Sequence, residues 1–449
     1  MSSEIDVAMS RELDQALERR DLPEAARLAA DIRTSKLVTW LSRQPIAQQA
    51  VLFRLLAKDR ALRVFEAMNP TAQADLVGEL ADHEVTSVFD ELDPDDRASL
   101  LDELPAKVAR RLLHNLDPAE RDLTAVVLGY PERSVGRRMS PEVIALPADS
   151  LVGESMQRVR ERMREAETVY TLPVIAGGRR VVGVVSLRDL LGADPTEIVG
   201  DLARRADLAF ATEDVEAVAR RTANLKRLAL PVVDSEERLV GIFTVDDALT
   251  VLEDAAEEDQ ARQGGSEPLR SPYLATPLWR IVRSRVVWLL VLAVGATLTV
   301  QVLEQFESTL GQMVVLSVFI PLLIGTGGNT GNQAATTVTR ALAVGDVEPR
   351  DVLRIVAREF AIGLSLGAVL GGIAFALISL VYGVEIGEVI GLTLLVVCTL
   401  AAVAGGVIPL VARTLRADPA VFSNPFISTL LDASGLVIYF LIARTLLGL

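Results

Sequence analysis

Between Gly325 and Gln333 the chain reads GTGGNTGNQ, inside a window, 308–339, that holds no charged residue. Backbone left unpaired in hydrocarbon costs several kcal/mol per group, so irregular backbone at that depth survives only where protein buries it or it lines a watery path. The run is therefore expected to be irregular and to mark a pore or a binding site. Asp432 stands near the centre of the last apolar stretch, where an ionised acid costs roughly 2.5 to 3.5 kcal/mol. Asn424 precedes it by eight residues, just over two helical turns, so the two side chains can face one axis. With Asn329 and Asn332 they supply hard oxygen ligands and one negative charge. That set suits a hard cation, and the lack of thiolate or imidazole clusters argues against zinc, copper and iron. Few direct ligands fit an ion that keeps its water, as magnesium does, whereas calcium gathers about six to eight direct oxygens. Manganese and cobalt stay open on spacing alone. A phosphate cradle is disfavoured, because no lysine or arginine lies in the run.

The elements that must carry these residues are apolar helices. Uncharged windows run over 286–303, 308–339, 360–384 and 389–412, and a fifth, 419–443, is broken only by Asp432. Each approaches or exceeds the ~20 apolar residues a spanning helix needs. Spans are expected at about 284–304, 311–341, 356–383, 387–413 and 421–447. Arg280, Arg283 and Arg285 precede the first, Arg340, Arg350, Arg354 and Arg358 separate the second and third, and Arg413 and Arg416 follow the fourth. The alternate loops hold Glu304, Glu307, Glu385 and Glu388 without an arginine. By the positive-inside rule the amino-terminal half is cytoplasmic and the carboxy terminus lies outside, in a cell membrane crossed five times. Gly363, Gly367 and Gly371 invite close helix packing, within a subunit or across a dimer. Pro321 and Pro409 are expected to kink their helices.

Residues 271–449 carry 10 basic and 10 acidic residues, so residues 1–270 hold the whole net charge of −15. An acidic surface repels nucleic acid and attracts cations. The one cysteine, Cys398, offers no disulfide framework, and His83 and His114 are too far apart for a zinc pair. The charged amino terminus has no apolar core, which is not a signal peptide and leaves the soluble half in the cytoplasm. No catalytic constellation is visible, so the chain reads as a non-enzyme.

Two repeats divide the soluble half. Asn69-Pro70, Asp93-Pro94 and Asp117-Pro118 recur every 24 residues. An Asn or Asp cap before proline is a strong helix start, so stacked helical hairpins are expected through the amino-terminal region. Leu172-Pro173-Val174-Ile175 returns 58 residues later as Leu230-Pro231-Val232-Val233, and Ser186-Leu187-Arg188-Asp189 returns as Thr244-Val245-Asp246-Asp247. Each unit reads helix, short strand, turn, strand, then a helix capped by Ser186 or Thr244. This tandem resembles a pair of CBS domains. By that resemblance Arg188 and Asp189 would contact an adenine nucleotide such as ATP, with Tyr170 stacked on the base. The following helix carries Asp246, Asp247, Glu253, Asp254, Glu257, Glu258 and Asp259, whose mutual repulsion divalent cations would relieve.

Together with PLLIGTGGNTGNQ and NPFISTLLDASG, this order of parts resembles the MgtE magnesium channels and transporters along essentially the whole chain. The fold class that follows is a multidomain membrane protein. It comprises an all-α superhelical N domain (1–132), an α/β tandem CBS pair (133–196 and 197–250), an acidic connecting plug helix (251–275) and a five-helix transmembrane domain (276–449). The resemblance implies a homodimer with one central pore for Mg2+, in which Asp432 binds the hydrated ion near Asn332 and Asn424. It also implies that cytoplasmic Mg2+ bridges the acidic domains and closes the pore. Asp247, Glu258 and Asp259 would serve at the plug, and Glu91, Asp95, Asp214 and Glu216 at domain contacts. Lys226 stands where a further acid could have bridged. The alternatives are a CBS-regulated carrier of another divalent cation, Mn2+ or Co2+, and a membrane-anchored nucleotide sensor.

Overall fold

The computed structural model describes residues 11–17, 19, 21–269, 273, 276–415 and 424–448, apart from the side chains of Asp82 and Asn424. The chain divides into two compact units, residues 1–255 with 270–277, and residues 256–269 with 278–449. Arg270, Arg416 and Pro419 and the first ten residues lie outside the described part.

The amino-terminal part of the first unit is an alternation of short helices on one period. One set of helices comprises α1 (Leu22–Asp31), α3 (Ile46–Leu55), α5 (Pro70–Glu79), α7 (Pro94–Glu103) and α9 (Pro118–Leu128). Each starts 24 residues after the last. The alternate set, α2 (Thr34–Leu41), α4 (Lys58–Glu66), α6 (Asp82–Phe89) and α8 (Ala106–Asn115), keeps the same step. The repeat thus extends two units upstream of the Asn/Asp-Pro signals. It was hidden there because Asp21 caps α1 with proline at the second helical position and Pro45 itself occupies the cap of α3. Each odd helix packs on the next odd helix, which builds the superhelix. Phe53, Phe65, Phe89, Leu76, Leu100 and Leu112 fill its core.

The second part holds two three-stranded sheets of identical plan. In the first, β1 (Leu146–Pro147) pairs parallel to β2 (Thr171–Ile175), and β2 pairs antiparallel to β3 (Val181–Ser186). In the second, β4 (Ala209–Phe210), β5 (Ala229–Val233) and β6 (Leu239–Thr244) repeat the arrangement. Thr171 lies opposite Ser186 and Ala229 opposite Thr244, so the register itself repeats at the expected offset. Helices α10 (Val152–Arg162) and α11 (Leu187–Gly192) serve the first sheet. The second has α12 (Val199–Leu202), α13 (Val215–Leu225) and α14 (Val245–Gln263). Lys226 closes α13 in the left-handed region at φ 52°.

In the second unit the long helices are α15 (Leu278–Gln305), α17 (Val315–Val344), α18 (Val352–Tyr382), α19 (Val384–Thr414) and α20 (Asn424–Leu447), with a short α16 (Glu307–Gln312) after the first. Among the described residues α15, α18, α19 and α20 are long and apolar enough to cross a membrane. The glycine and amide run lowers the hydropathy of α17 below theirs. Gly363, Gly367 and Gly371 pack α18 directly on α19 within the chain: a Cβ at Gly363 would lie 2.7 Å from Thr399 Cα, and one at Gly367 2.7 Å from Leu395 Cα. Pro321 and Pro409 sit inside unbroken helices.

Candidate functional site

The expectation of irregular backbone at GTGGNTGNQ is overturned: α17 runs through it without a break. Each glycine in a helix costs about 1 kcal/mol relative to alanine, and close packing is what offsets it here. A Cβ on Gly327 would lie 2.7 Å from Val397 Cγ1, and one on Gly331 would collide with Leu431. Gly405 of α19 abuts the Gly331 carbonyl. The run keeps its backbone bonds within the helix and exchanges side chains for contact with α19 and α20.

Gly328 opens onto α20, where the place of its missing Cβ is 3.3 Å from Ser428 Oγ and 3.6 Å from Asp432 Oδ1. Asn332, one turn on, donates from Nδ2 to Ser428 Oγ at 2.9 Å. Its Oδ1 is buried without a hydrogen-bond partner. The structure therefore sets Asn332 against Ser428 and, one turn further on α20, Asp432 against Gly328; Ser428 is a residue that the sequence alone did not single out. Asn329 is exposed on α17. Asn424 opens α20, and its side chain is outside the described residues. Tyr439 Oη, fully buried, donates to the Leu316 carbonyl at 2.9 Å and ties α20 to the start of α17. A second acid, Glu359, is buried on α18 against Gly406, where a Cβ would lie 2.8 Å from its Cγ.

The two CBS-like repeats carry groups of opposite character, a cleft in the first and a cluster of acids in the second. The first, of about 420 Å³, is lined by Tyr170, Ser186, Arg188, Asp189, Arg204, Arg205, Asp207 and Arg227 among others. Ser186 caps α11 by accepting from Asp189 N at 3.1 Å and donates to Asp189 Oδ2 at 2.7 Å. That hydroxyl, with Arg204 beside it at 3.0 Å, holds Asp189 below the usual carboxylate range. Arg227 pairs with Asp207 at 3.1 Å. Arg188 also acts on Asp189 through its charge, and with Arg205 it lines the cleft, which keeps cationic capacity for a polyanion.

At the corresponding place in the second repeat Asp246 replaces Arg188 and Asp247 matches Asp189. Asp247 bonds Thr244 Oγ1 at 2.5 Å, the counterpart of Asp189 on Ser186. Around it gather Glu167, whose backbone N–H bonds the Glu142 carbonyl at 3.0 Å, and Asp95 and Asp96 from the start of α7. Burial first, and then the charge of neighbouring acids, Asp93 among them for Asp96, Glu142 and Glu167 and Asp246 for Asp247, pushes these acids up: Asp247 to about 6, Asp96 and Glu142 to about 7, Glu167 to about 8 and Asp95 well above its ordinary value. Asp95 Oδ1 is buried without a partner, the mark of a group suited to a proton or a cation. Among the described residues no three such groups form a ready-made metal cage.

α7 is held at both ends. Arg97, almost wholly buried, bonds Glu120 at 2.6 Å and the carbonyls of Phe89 at 3.0 Å and Asp90 at 2.9 Å. At its far end Asp102 receives Arg137 Nη2 at 2.5 Å.

Other expected regulatory acids are engaged locally. Glu91 pairs with Lys58, Glu258 with Arg262, and Glu216 with Arg220 at 2.5 Å. Asp214 caps α13 by accepting from Ala217 N at 3.0 Å. Asp246, Glu253, Asp254, Glu257 and Asp259 follow one another along α14 without converging. Asp96, Glu142 and Glu167 were not singled out from sequence. The reversal of charge between Arg188 and Asp246 at the repeat offset was the available signal.

Residues 320–442 match the family described as a divalent cation transporter, MgtE. Residues 32–133 match the MgtE intracellular N domain, and 133–195 and 199–254 match CBS domains. The magnesium transporter MgtE of Thermus thermophilus is 39% identical over 322 residues, 71% of each chain. That of Enterococcus faecalis is 33% identical over 319 residues, covering 71% of this chain and 70% of the relative. Among solved structures, the cytosolic domain of the Mg2+ channel MgtE in complex with ATP superposes with a TM-score of 0.51 at 32% identity. It covers 54% of this chain and 99% of that domain. With these matches across its soluble and membrane parts, the chain belongs to the MgtE family of magnesium transporters.

Proposed function

We propose that the chain is a Mg2+-selective channel or transporter, a homodimer in the cell membrane, that closes as Mg2+ rises on the side of its soluble half. The observation that carries the transport reading is the group Asn332, Ser428 and Asp432 gathered around Gly328 at the depth of apolar helices. Oxygen acceptors around one carboxylate suit a hydrated divalent ion, which presents hydrogens outward and sheds its water reluctantly. Asn329 and Gln333 are exposed on the single chain, and amides facing hydrocarbon are costly. A second copy across a water-filled path satisfies them. In this reading α15, α17, α18, α19 and α20 are the five spans, the soluble half is cytoplasmic and the carboxy terminus outside.

For regulation, Asp95, Asp246, Asp247 and Glu167 would hold Mg2+, which would supply the charge that neutralises their repulsion. Asp247, Glu258 and Asp259 are the acids through which α14 would sense it. Binding that favours the closed arrangement shifts the population by its differential affinity alone. Tyr170, Ser186, Arg188 and Asp189 would hold an adenine nucleotide, with the guanidinium groups of Arg188 and Arg205 taking its phosphates.

Asp432→Ala is expected to abolish Mg2+ uptake into proteoliposomes while the dimer still forms in size-exclusion chromatography. Normal uptake by that variant would remove Asp432 from the ion path.

A further inference from the structure

α15 is packed along one face only. Ile281, Trp288 and Gly295, seven residues apart and so two turns apart, share that face. Ile281 is buried, Trp288 Nε1 donates to Glu267 at 3.1 Å, and a Cβ on Gly295 would lie 2.9 Å from Thr429 Cγ2 of α20. The opposite face carries Trp279, Arg283, Val286 and Leu290, all exposed, Trp279 at 59% and Leu290 at 63%.

The head of this open face is ordered by its own side chains. The Arg283 guanidinium carbon lies 5.7 Å from the centroid of the Trp279 ring, within reach of a cation–π contact that holds the cation in place. Arg280, three residues earlier, is exposed beside it. Among the described residues neither arginine has a carboxylate at ion-pair distance, whereas just before and within α18 Arg350 pairs with Glu348 at 2.9 Å and Arg354 with Asp351 at 3.3 Å. Two unpaired cations above a strip of bare aliphatic surface match an amphiphile with an anionic head. A guanidinium fork takes phosphate oxygens two at a time, indole settles at headgroup level, and an anionic leaflet attracts each such cation. A second copy of the chain fits less well. About a two-fold axis along the membrane normal it would set Arg283 against Arg283 at one height, like charge against like.

We propose that this face of α15 binds an anionic phospholipid of the cytoplasmic leaflet, with Arg280 and Arg283 on its phosphate and Val286 and Leu290 along its acyl chain. The proposal rests on the reading of α15 as a membrane span.

The test titrates full-length protein in detergent with phosphatidylglycerol and, separately, with phosphatidylcholine of the same chains, and counts bound lipid by native mass spectrometry. The first phosphatidylglycerol on each chain is expected to bind about thirtyfold more tightly than phosphatidylcholine, the worth of two arginines at an anionic surface. Arg280→Gln with Arg283→Gln should remove that preference, and Arg280→Lys with Arg283→Lys should keep most of it. Trp279→Ala, which keeps every charge that directs insertion, should weaken it about threefold. Arg350→Gln with Arg354→Gln should leave it unchanged. Equal binding of the two lipids, or an equal loss at Arg350 and Arg354, would overturn the proposal. A preference that survives the paired glutamines would do the same, and dimers that dissociate in that variant would give the face to a second copy. None of these results touches the transport reading while Mg2+ uptake persists. Labelling of Leu290→Cys by a water-soluble maleimide in intact proteoliposomes would instead place α15 outside the membrane and bring down both.

Discussion

Asp95 Oδ1 and Asn332 Oδ1 are both buried and unpaired, one in the soluble half and one among the apolar helices. Asp432 and Asn332 were legible in sequence because a polar atom stands out in an uncharged window. Ser428 was not, since serine is common in such helices and bonds its own helix without notice. The acids around Asp247 were half legible: Asp95 and Asp247 were singled out, but Asp96, Glu142 and Glu167 converge from separate segments that only the fold brings together. Their raised values carry a pH dependence with a definite sign. Acids whose protons bind more tightly in the packed state stabilise it most at low pH, and that contribution is lost as pH rises through the raised values. In EDTA the packing of α7 against the second CBS-like repeat should weaken from about pH 4, the ordinary carboxylate range, up to about pH 8, where the last of Asp247, Asp96, Glu142 and Glu167 has lost its proton. Thermal unfolding of the protein in EDTA should fall across that range, and Asp95→Asn should flatten the fall. A midpoint that does not move would mean the acids are already open to solvent.

At the scale of elements, helix starts marked by Asn/Asp-Pro were readable, and the two earlier units of the same period were not, because proline sits at another position of their caps. The glycine run was read as broken backbone on composition, yet tertiary packing overrides propensity where Gly331 and Gly405 meet. Gly405→Ala should force these helices apart, at about 1–3 kcal/mol for an overpacked core, and lower both melting temperature and Mg2+ uptake. Gly372→Ala, with nothing within 4 Å of the added Cβ, should change neither. Equal effects from both would deny the packing role. On α7, Asp102→Ala leaves the buried Arg137 without its carboxylate. Since Asp102 is 35% exposed, the expected cost is about 2 kcal/mol, below that of a fully buried pair, read as a lower urea midpoint.

For the whole molecule, one repeat plan has produced an arginine-lined cleft at Asp189 and a cluster of acids at Asp247. The order of parts, superhelix, tandem pair, acidic helix and apolar bundle, was visible in charge and periodicity, since those depend on local sequence alone. Which surfaces sense the ion depends on packing at long range. Asp247→Asn with Glu258→Gln and Asp259→Asn should leave transport open at high Mg2+, whereas these acids would be irrelevant to gating if closure persisted. The most direct measurement is Mg2+ flux in proteoliposomes while Mg2+ is varied only on the side of the soluble half. Flux should fall steeply as that Mg2+ enters the millimolar range typical of weak oxygen sites; flux that ignores it would rule out closure by Mg2+ at the soluble half.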